Sequence, residues 1–434
     1  MKEEFFNVEP IDEVLADWLG LHFNGEIFRP GFKRIEEIFS PILSSLKKRK
    51  IKTAIIGGTN GKGEVTLLLE HLACHNNYRP FVWMSPHIIS ARERFCCDGK
   101  PIEGEKLLSL FNKYCHLTSE LSYYEFLFYC FCQYVEDSLE NEVCSKKSIL
   151  FLEVGLGGRL DATNLFDCDV ACLTSIGRDH MGMLGNSLSA ILGEKIMISR
   201  PGKPLVTTVR QSFLRDQISR FCSDHGVEHD DLFEGKEPLN SDDHFRIANK
   251  KLALAVWQKI SDSRVDCVTQ LLPHNLELWG RPLMVTYVKS KFILLGTHNL
   301  DGLRSLLKYL VDKKNLSKDL KNPADEVWVA LTRESKQEVK DFINLVIASP
   351  CLAKKIVLTT FDHDRATSVT LMNEVVSELG LLSDHVVVIK DWKTRIENNK
   401  AASHITILGS YYFIGEVYRT IHRLKSDQRG KLGT

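Results

Sequence analysis

Between the apolar run Ile51–Ile56 and an amphipathic stretch lies Gly57-Gly58-Thr59-Asn60-Gly61-Lys62-Gly63. Glycines let backbone N–H groups approach an anion, a helix start adds the positive end of its dipole, and Lys62 adds a point charge. These are the parts of a phosphate cradle, with a tight structural turn as the competing reading. The segment is one residue shorter than the G-x-x-x-x-G-K-[ST] loop and runs on as Lys-Gly-Glu. Glu153 closes the apolar run Ser148–Val154, where a carboxylate serves either as a magnesium ligand opposite a phosphate loop or as an ordinary salt-bridged glutamate. Ser85-Pro86-His87 leaves another apolar run and by itself reads equally as a strand exit. His180, at the end of Thr174–His180, suits a metal ligand or a polar cap. Lys195 stands out by position, because Leu188, Ile191, Leu192 and Lys195 recur at i, i+3, i+4 and i+7. A lysine on an apolar stripe either snorkels to solvent or is buried with a depressed pKa. In the second case its neutral amine reacts with carbon dioxide to give a carbamate, a carboxylate-like metal ligand.

The elements that would hold these residues follow an α/β pattern. After a helical opening over Ile11–Leu46, the strand Ile51–Ile56, the glycine loop and a helix striped by Val65, Leu68, Leu69 and Leu72 form a strand-loop-helix unit. Pro80–Met84, Ser148–Val154 and Val170–Ile176 read as further strands, with a helix over Tyr123–Val135. In doubly wound sheets ligands collect beyond the carboxyl ends of the strands, where the polar residues above fall. A helical pattern over Ser241–Ile260 is followed, after Trp279-Gly280-Arg281-Pro282, by strands at Phe292–Leu295, Val327–Leu331, Ile356–Thr360, Val386–Ile389 and Ile405–Leu408. The expected organisation is an N-terminal P-loop-type ATPase domain with a parallel sheet over 1–276. A linker follows at 277–282, then a smaller Rossmann-like α/β domain over 283–434. The Lys/Arg-rich tail after Leu424 is expected to fray.

Composition narrows the function classes. Lys+Arg 56 against Asp+Glu 56 leaves no global field to recruit nucleic acid or an anionic membrane. The longest strongly apolar stretch, Phe126–Cys132, is far short of the roughly 20 residues that span a bilayer. With no secretory signal legible, the expectation is a cytoplasmic protein, monomeric by default, with its 12 cysteines as reduced thiols because none forms a Cys-x-x-Cys pair.

In order, the chain carries GTNGKG (58–63), SPH (85–87), LEVGLGGRLDATN (152–164), TSIGRDH (174–180) and GEK (193–195). FRIAN (245–249), Gly280-Arg281, GTHN (296–299), DHDRA (362–366) and GSYYFIGEV (409–417) follow. Together these closely resemble the folylpolyglutamate synthase and dihydrofolate synthase family of the Mur ligase superfamily. The resemblance covers nearly the whole chain, more strongly before residue 204. It implies that Gly58, Thr59, Asn60, Gly61, Lys62 and Gly63 bind the ATP phosphates and that Ser85, Glu153 and His180 hold Mg2+. Lys195 matches the lysine that the family carbamylates, which tips its reading away from snorkelling. Asn249, Arg281, His298 and Asn299 match nucleotide-contacting positions, and Lys62, His180, Lys195, Arg281 and His298 are the implied catalytic set. Glu125 matches a position near the substrate, although a helix-face carboxylate reads as well there; Arg159 and Asp161 are further substrate candidates. Family members activate a carboxylate with ATP as an acyl phosphate, which the amine of L-glutamate attacks. The implied substrates are ATP, L-glutamate, and dihydropteroate or tetrahydrofolate. Such chemistry gathers anions, so Lys62, Arg281 and magnesium must neutralise them, and it needs no covalent protein nucleophile.

Three departures bear on the implied activity. Glu64 stands where the family usually has serine, setting repulsion of phosphate against recruitment of metal, so Glu64→Ser is expected to lower the Michaelis constant for ATP. Leu295 replaces an aspartate on the nucleotide's ribose side, and Thr332–Lys336 lacks the usual Lys-Asp pair. A catalytically silent nucleotide- or pterin-binding protein is therefore the alternative to an active ligase. A P-loop kinase or GTPase fits the glycine loop but not the other motifs.

Overall fold

The computed structural model describes residues 8–24, 29, 31–141, 146–234, 245–261, 283–311, 323–332, 335–349, 352–381, 385–399 and 402–432. They form two compact units that divide at residue 276. In the first, α1 (Pro10–His22) and α2 (Phe32–Lys48) lead into β1 (Lys52–Gly57), α3 (Lys62–His75) and β2 (Tyr78–Trp83). The short strands β3 (Phe95–Cys97) and β4 (Lys100–Pro101), α4 (Gly104–Lys113), α5 (Tyr123–Asn141) and β5 (Lys147–Glu153) come next. They are followed by β6 (Val170–Leu173), α6 (Met181–Leu184), α7 (Leu188–Ile196), β7 (Pro204–Thr207), α8 (Ser212–His225), β8 (Glu228–Asp231) and α9 (Phe245–Ile260).

The strands form one sheet in the order β4-β3-β2-β5-β1-β6-β7-β8. Pairing is parallel except at the β2-β3 and β3-β4 contacts. A parallel sheet needs helices on both faces, so its strands read as continuous apolar runs. Ala54, Ile55 and Ile56 of β1 are accordingly buried on both sides. The α3 stripe of Val65, Leu68, Leu69 and Leu72 is also buried, between the sheet and α9. Chain order reverses at β1: β2 and β5 lie to one side and β6 to the other, which makes the carboxyl end of β1 the ligand-bearing crevice of an open sheet. Register aligns the ends. Ile56 pairs with Glu153, Gly57 with Leu173, and Trp83 with Leu152, so the residues that follow these strands emerge on one edge.

In the second unit β9 (Leu283–Tyr287), β10 (Ser290–Gly296), α10 (Leu300–Val311), β11 (Ala324–Ala330) and α11 (Lys336–Ile347) precede β12 (Ala353–Thr359) and α12 (Val369–Glu378). Then come β13 (Val386–Ile389), α13 (Trp392–Glu397), β14 (His404–Gly409) and α14 (Tyr411–Leu432). The sheet order is β13-β12-β11-β14-β10-β9, parallel except for β9 against β10.

Two sequence expectations are refined, the helical opening and the tail. The helical opening is two helices, α1 and α2, the second starting after Gly31. The segment before Cys97 contains a short antiparallel strand, too brief and too cysteine-rich to show a period of two. The tail does not fray at Leu424; α14 runs to Leu432, anchored by buried Phe413, Ile414, Val417, Tyr418 and Ile421. The linker 277–282 lies outside the described residues. Among the described residues no helix is long and apolar enough to cross a membrane, and the nine described cysteines are free thiols.

Candidate active site

The phosphate loop is built by its neighbours as much as by its glycines. Thr59 N donates to Ser175 O at 2.7 Å, and Asn60 N to Ser175 Oγ at 3.0 Å. Gly177 N donates to Thr59 Oγ1 at 3.0 Å. The run Thr174–Gly177 is thus the floor on which the loop rests, a role its sequence did not announce. Gly61 caps α3 with φ +92, in the left-handed region where a side chain is strained. A Cβ there would stand 2.8 Å from the Asn249 amide, so α9 packs against the loop itself. Lys62 Nζ donates to Gly58 O and Thr59 O, each at 3.2 Å, and so lies folded over the loop backbone.

Lys195 is buried, at 5% exposure, and does not snorkel. Its Nζ donates to Gly58 O at 2.9 Å. Desolvation and the nearby Lys62 charge bring its pKa down to about 7, while Asp179 and Asp161 pull it the other way. Burial thus favours the neutral form of this amine far more than in an ordinary lysine, beside the phosphate loop.

Glu153 is 4% exposed and accepts from Ser85 N at 3.1 Å. A Cβ at Gly63 would lie 3.7 Å from both Glu153 carboxylate oxygens, which places this carboxylate at the first turn of α3. Ser85 Oγ is buried with no hydrogen-bond partner. A hydroxyl in want of a partner and a buried carboxylate are hard oxygen donors that suit a divalent cation, while the helix start beside them suits the anion such a cation would accompany. The residues present fit such an ion. His180 begins α6 in a left-handed conformation, φ 49, with its side chain 43% exposed and Nε2 3.8 Å from Asp179 Oδ2. Among the described residues no three His, Cys, Asp or Glu side chains form a ready-made metal cluster.

The tentative substrate carboxylates have structural partners. Glu125 accepts from Arg34 Nη2 at 2.8 Å and from Ser122 N at 2.7 Å, joining α2 to the start of α5. Asp161 takes the N–H groups of Gly155, Leu156 and Thr163, the Thr163 hydroxyl and the Tyr124 hydroxyl, and so shapes the loop after β5. Burial still raises its pKa. Arg159 pairs with Glu194 at 2.9 Å on the surface.

Two departures find a place. Glu64 does not face the end of α3 unpaired: Asn249 Nδ2 donates to its Oε2 at 2.7 Å, and Arg246 Nε lies 3.5 Å from Oε1. Arg246 stands three residues before Asn249 on the same face of α9, and that spacing was the signal that could have revealed it. Leu295 is packed in the core of the second unit with Ile293, Leu303 and Val327. In that unit the His298 ring lies 5.1 Å from the Tyr411 ring, and Asn299 Oδ1 accepts from Gly302 N at 2.8 Å, starting α10. Arg281 lies outside the described residues.

No protein-family model matches the chain. A dihydrofolate synthase/folylpolyglutamate synthase of Bacillus subtilis is 24% identical over 432 residues, 91% of this chain and 95% of the relative. The chain is thus similar, over nearly its whole length, to a protein of the folylpolyglutamate synthase and dihydrofolate synthase family. A Haemophilus influenzae relative of the same name is 32% identical over 251 residues, 55% of this chain and 53% of its own length. The two-unit α/β fold recurs in a crystal structure of the Yersinia pestis bifunctional folylpolyglutamate synthase/dihydrofolate synthase with Mn, AMPPNP and L-glutamate bound. Its TM-score is 0.73 at 23% identity, covering 94% of this chain and 98% of that one. The strand-end edge of the first unit, where the phosphate loop, Glu153, Ser85 and Lys195 come together, is the candidate active site.

Proposed function

We propose that the chain is an ATP-dependent ligase joining L-glutamate to the carboxylate of dihydropteroate, of a reduced folate, or of both. The observation that carries this reading is the buried Lys195 amine, its pKa lowered by desolvation, against the carbonyl of Gly58 in the phosphate loop. An ordinary structural lysine has no reason to accept that desolvation, whereas a lysine that becomes a carbamate does. The names and ligands of the relatives, which include AMPPNP, Mn and L-glutamate in the Yersinia pestis protein, agree with it.

In this reading Gly58–Gly63 receive the ATP phosphates through backbone N–H groups and the α3 terminus, with Lys62 swinging from its backbone partners to the anion. Ser85, Glu153, His180 and a carbamylated Lys195 are the proposed holders of Mg2+, which when bound supplies charge neutralisation for the phosphates. Asn249, Arg281, His298 and Asn299 are the proposed nucleotide contacts, Arg159 is the proposed neighbour of the acceptor, and Asp161 shapes the loop that carries it. The γ-phosphoryl group passes to the acceptor's carboxylate, giving an acyl phosphate and ADP. The glutamate nitrogen then attacks the acyl carbon, phosphate leaves, and a proton is released as the amide forms. We assign residues 1–276 to the ATPase domain, 277–282 to the linker and 283–434 to the ligase domain, in a cytoplasmic monomer.

The test is magnesium-dependent ADP release with ATP and L-glutamate, run separately with dihydropteroate and with tetrahydrofolate, with products weighed by mass spectrometry. A glutamate-extended product from either acceptor is the expected result, and which acceptor works assigns the activity. ADP release at background with both, in the presence of bicarbonate, would sink the ligase reading.

A further inference from the structure

The phosphate loop and α9 meet at a carboxylate that the reaction itself does not call for. Glu64 is 7% exposed at the third position of α3, yet its side chain turns away from the helix axis toward α9. A carboxylate is an acceptor only, so it fixes the Asn249 amide with nitrogen toward Glu64 and oxygen turned away. The same amide touches the space at Gly61, where the backbone tolerates no side chain. Arg246 approaches the other Glu64 oxygen and balances its charge, and Asn249 and Arg246 project from successive turns of one helix.

We infer that Glu64 is a positioning residue for the nucleotide: it clamps Asn249 and Arg246 of α9 against the left-handed Gly61 of the phosphate loop and holds the loop in its binding shape. This rests on the ligase reading, in which the loop receives ATP. It stands against both readings weighed from sequence, repulsion of phosphate and recruitment of metal, because the charge is matched by Arg246 and aimed at α9. Serine at this position has an oxygen too short to hold both α9 side chains. Loss of Glu64 therefore loosens the loop while leaving Lys62, Glu153 and Lys195 in place.

The experiment is calorimetric titration of the full chain with AMPPNP and Mg2+, comparing wild type, Glu64→Ser, Glu64→Gln, Asn249→Ala and the Glu64→Ser/Asn249→Ala double variant, each checked for thermal unfolding. Glu64→Ser and Asn249→Ala are each expected to raise Kd about tenfold, the worth of one charge-assisted hydrogen bond. The double variant should be no weaker than Asn249→Ala alone, since Glu64 acts through Asn249, whose own nucleotide contact that substitution also removes. Glu64→Gln, near in shape and still able to accept from Asn249, should lose less and also guards against misfolding. In steady state the Glu64→Ser loss should appear in the ATP Michaelis constant more than in kcat. Wild-type binding with an unchanged or lower Kd in Glu64→Ser overturns the clamp and leaves the ligase reading standing, as does strict additivity in the double variant. Wild-type protein that binds no AMPPNP overturns both.

Discussion

The backbone N–H of Ser85 donates to the carboxylate of Glu153 at 3.1 Å, although the two residues are 68 apart in the chain. Parallel pairing of β2 with β5 creates the contact, since Trp83 and Leu152 are in register and both strands end together. Glu153 is thus oriented by backbone while Ser85 keeps its hydroxyl for another partner.

That relationship separates a metal role from a structural one. Glu153→Gln retains an acceptor for Ser85 N and should keep the thermal midpoint near that of wild type. Without the charge, turnover should fall on the order of 100-fold and the remaining activity should no longer saturate with magnesium in the wild-type range. A magnesium titration of ADP release checks this, and a wild-type curve for Glu153→Gln would remove Glu153 from the metal site.

Lys195 carries opposite consequences for activity and stability. Lys195→Ala should lower kcat by on the order of 100-fold or more, with partial recovery on adding short-chain carboxylates. Its folded pKa, about 7, lies below the ordinary 10.5. Between those values the unfolded chain binds more protons, so this group makes stability rise with pH across that window. Lys195→Met, which has no ammonium to bury, should therefore be more stable than wild type near pH 7, with the difference shrinking toward pH 10.5. Denaturation midpoints at several pH values decide it; a less stable Lys195→Met at pH 7 would contradict the desolvation argument.

Much of this site was legible before any fold was known, because strand ends in an α/β protein are marked by apolar runs that stop at glycine or polar residues. Gly57, Glu153 and Thr174 are such stops, and the structure places them on one edge. Lys195 was legible as an intruder on an apolar stripe. Sheet order was not, since it depends on pairings between residues about 100 apart, such as Ile56 with Glu153. Nor was the direction in which Glu64 points. A carboxylate at a helix start looks the same in sequence whether it faces a ligand or an arginine on a helix roughly 180 residues further along the chain.

Glu70 offers a pH signature away from the active site. It is buried beneath the β3–β4 turn, where Gly99 N donates to its carboxylate at 3.1 Å, and desolvation raises its pKa from 4.5 to about 7. The folded chain then keeps a proton that the unfolded chain gives up between those values. Stability from this group is full below 4.5 and is lost as pH rises through 7. Glu70→Gln stays neutral and preserves the acceptor for Gly99. It should flatten that decline and exceed wild type at pH 8 by at most about 3 kcal/mol. Chemical denaturation of both proteins at pH 5 and pH 8 tests it, and parallel pH profiles would count against a neutral Glu70.

Asp161 distinguishes a loop-shaping carboxylate from a substrate contact. Its Oδ2 accepts from Gly155 N at 2.9 Å and Leu156 N at 3.0 Å, while Oδ1 accepts from Thr163 N, Thr163 Oγ1 and the Tyr124 hydroxyl. Asparagine offers one acceptor oxygen and turns a donor toward at least two buried donors, so an isosteric change is no remedy. Asp161→Asn should cost about 3 kcal/mol or more and Asp161→Ala at least as much, each leaving buried donors without acceptors. Because the loop also approaches α7, where Gly158 has no room for a Cβ against the carbonyls of Glu194 and Lys195, its distortion should reach Lys195 and lower kcat as well. A residue that only touched the acceptor would behave differently. Asp161→Asn would then raise the acceptor's Michaelis constant with an unchanged denaturation midpoint, and that pattern would return Asp161 to the substrate side of the site.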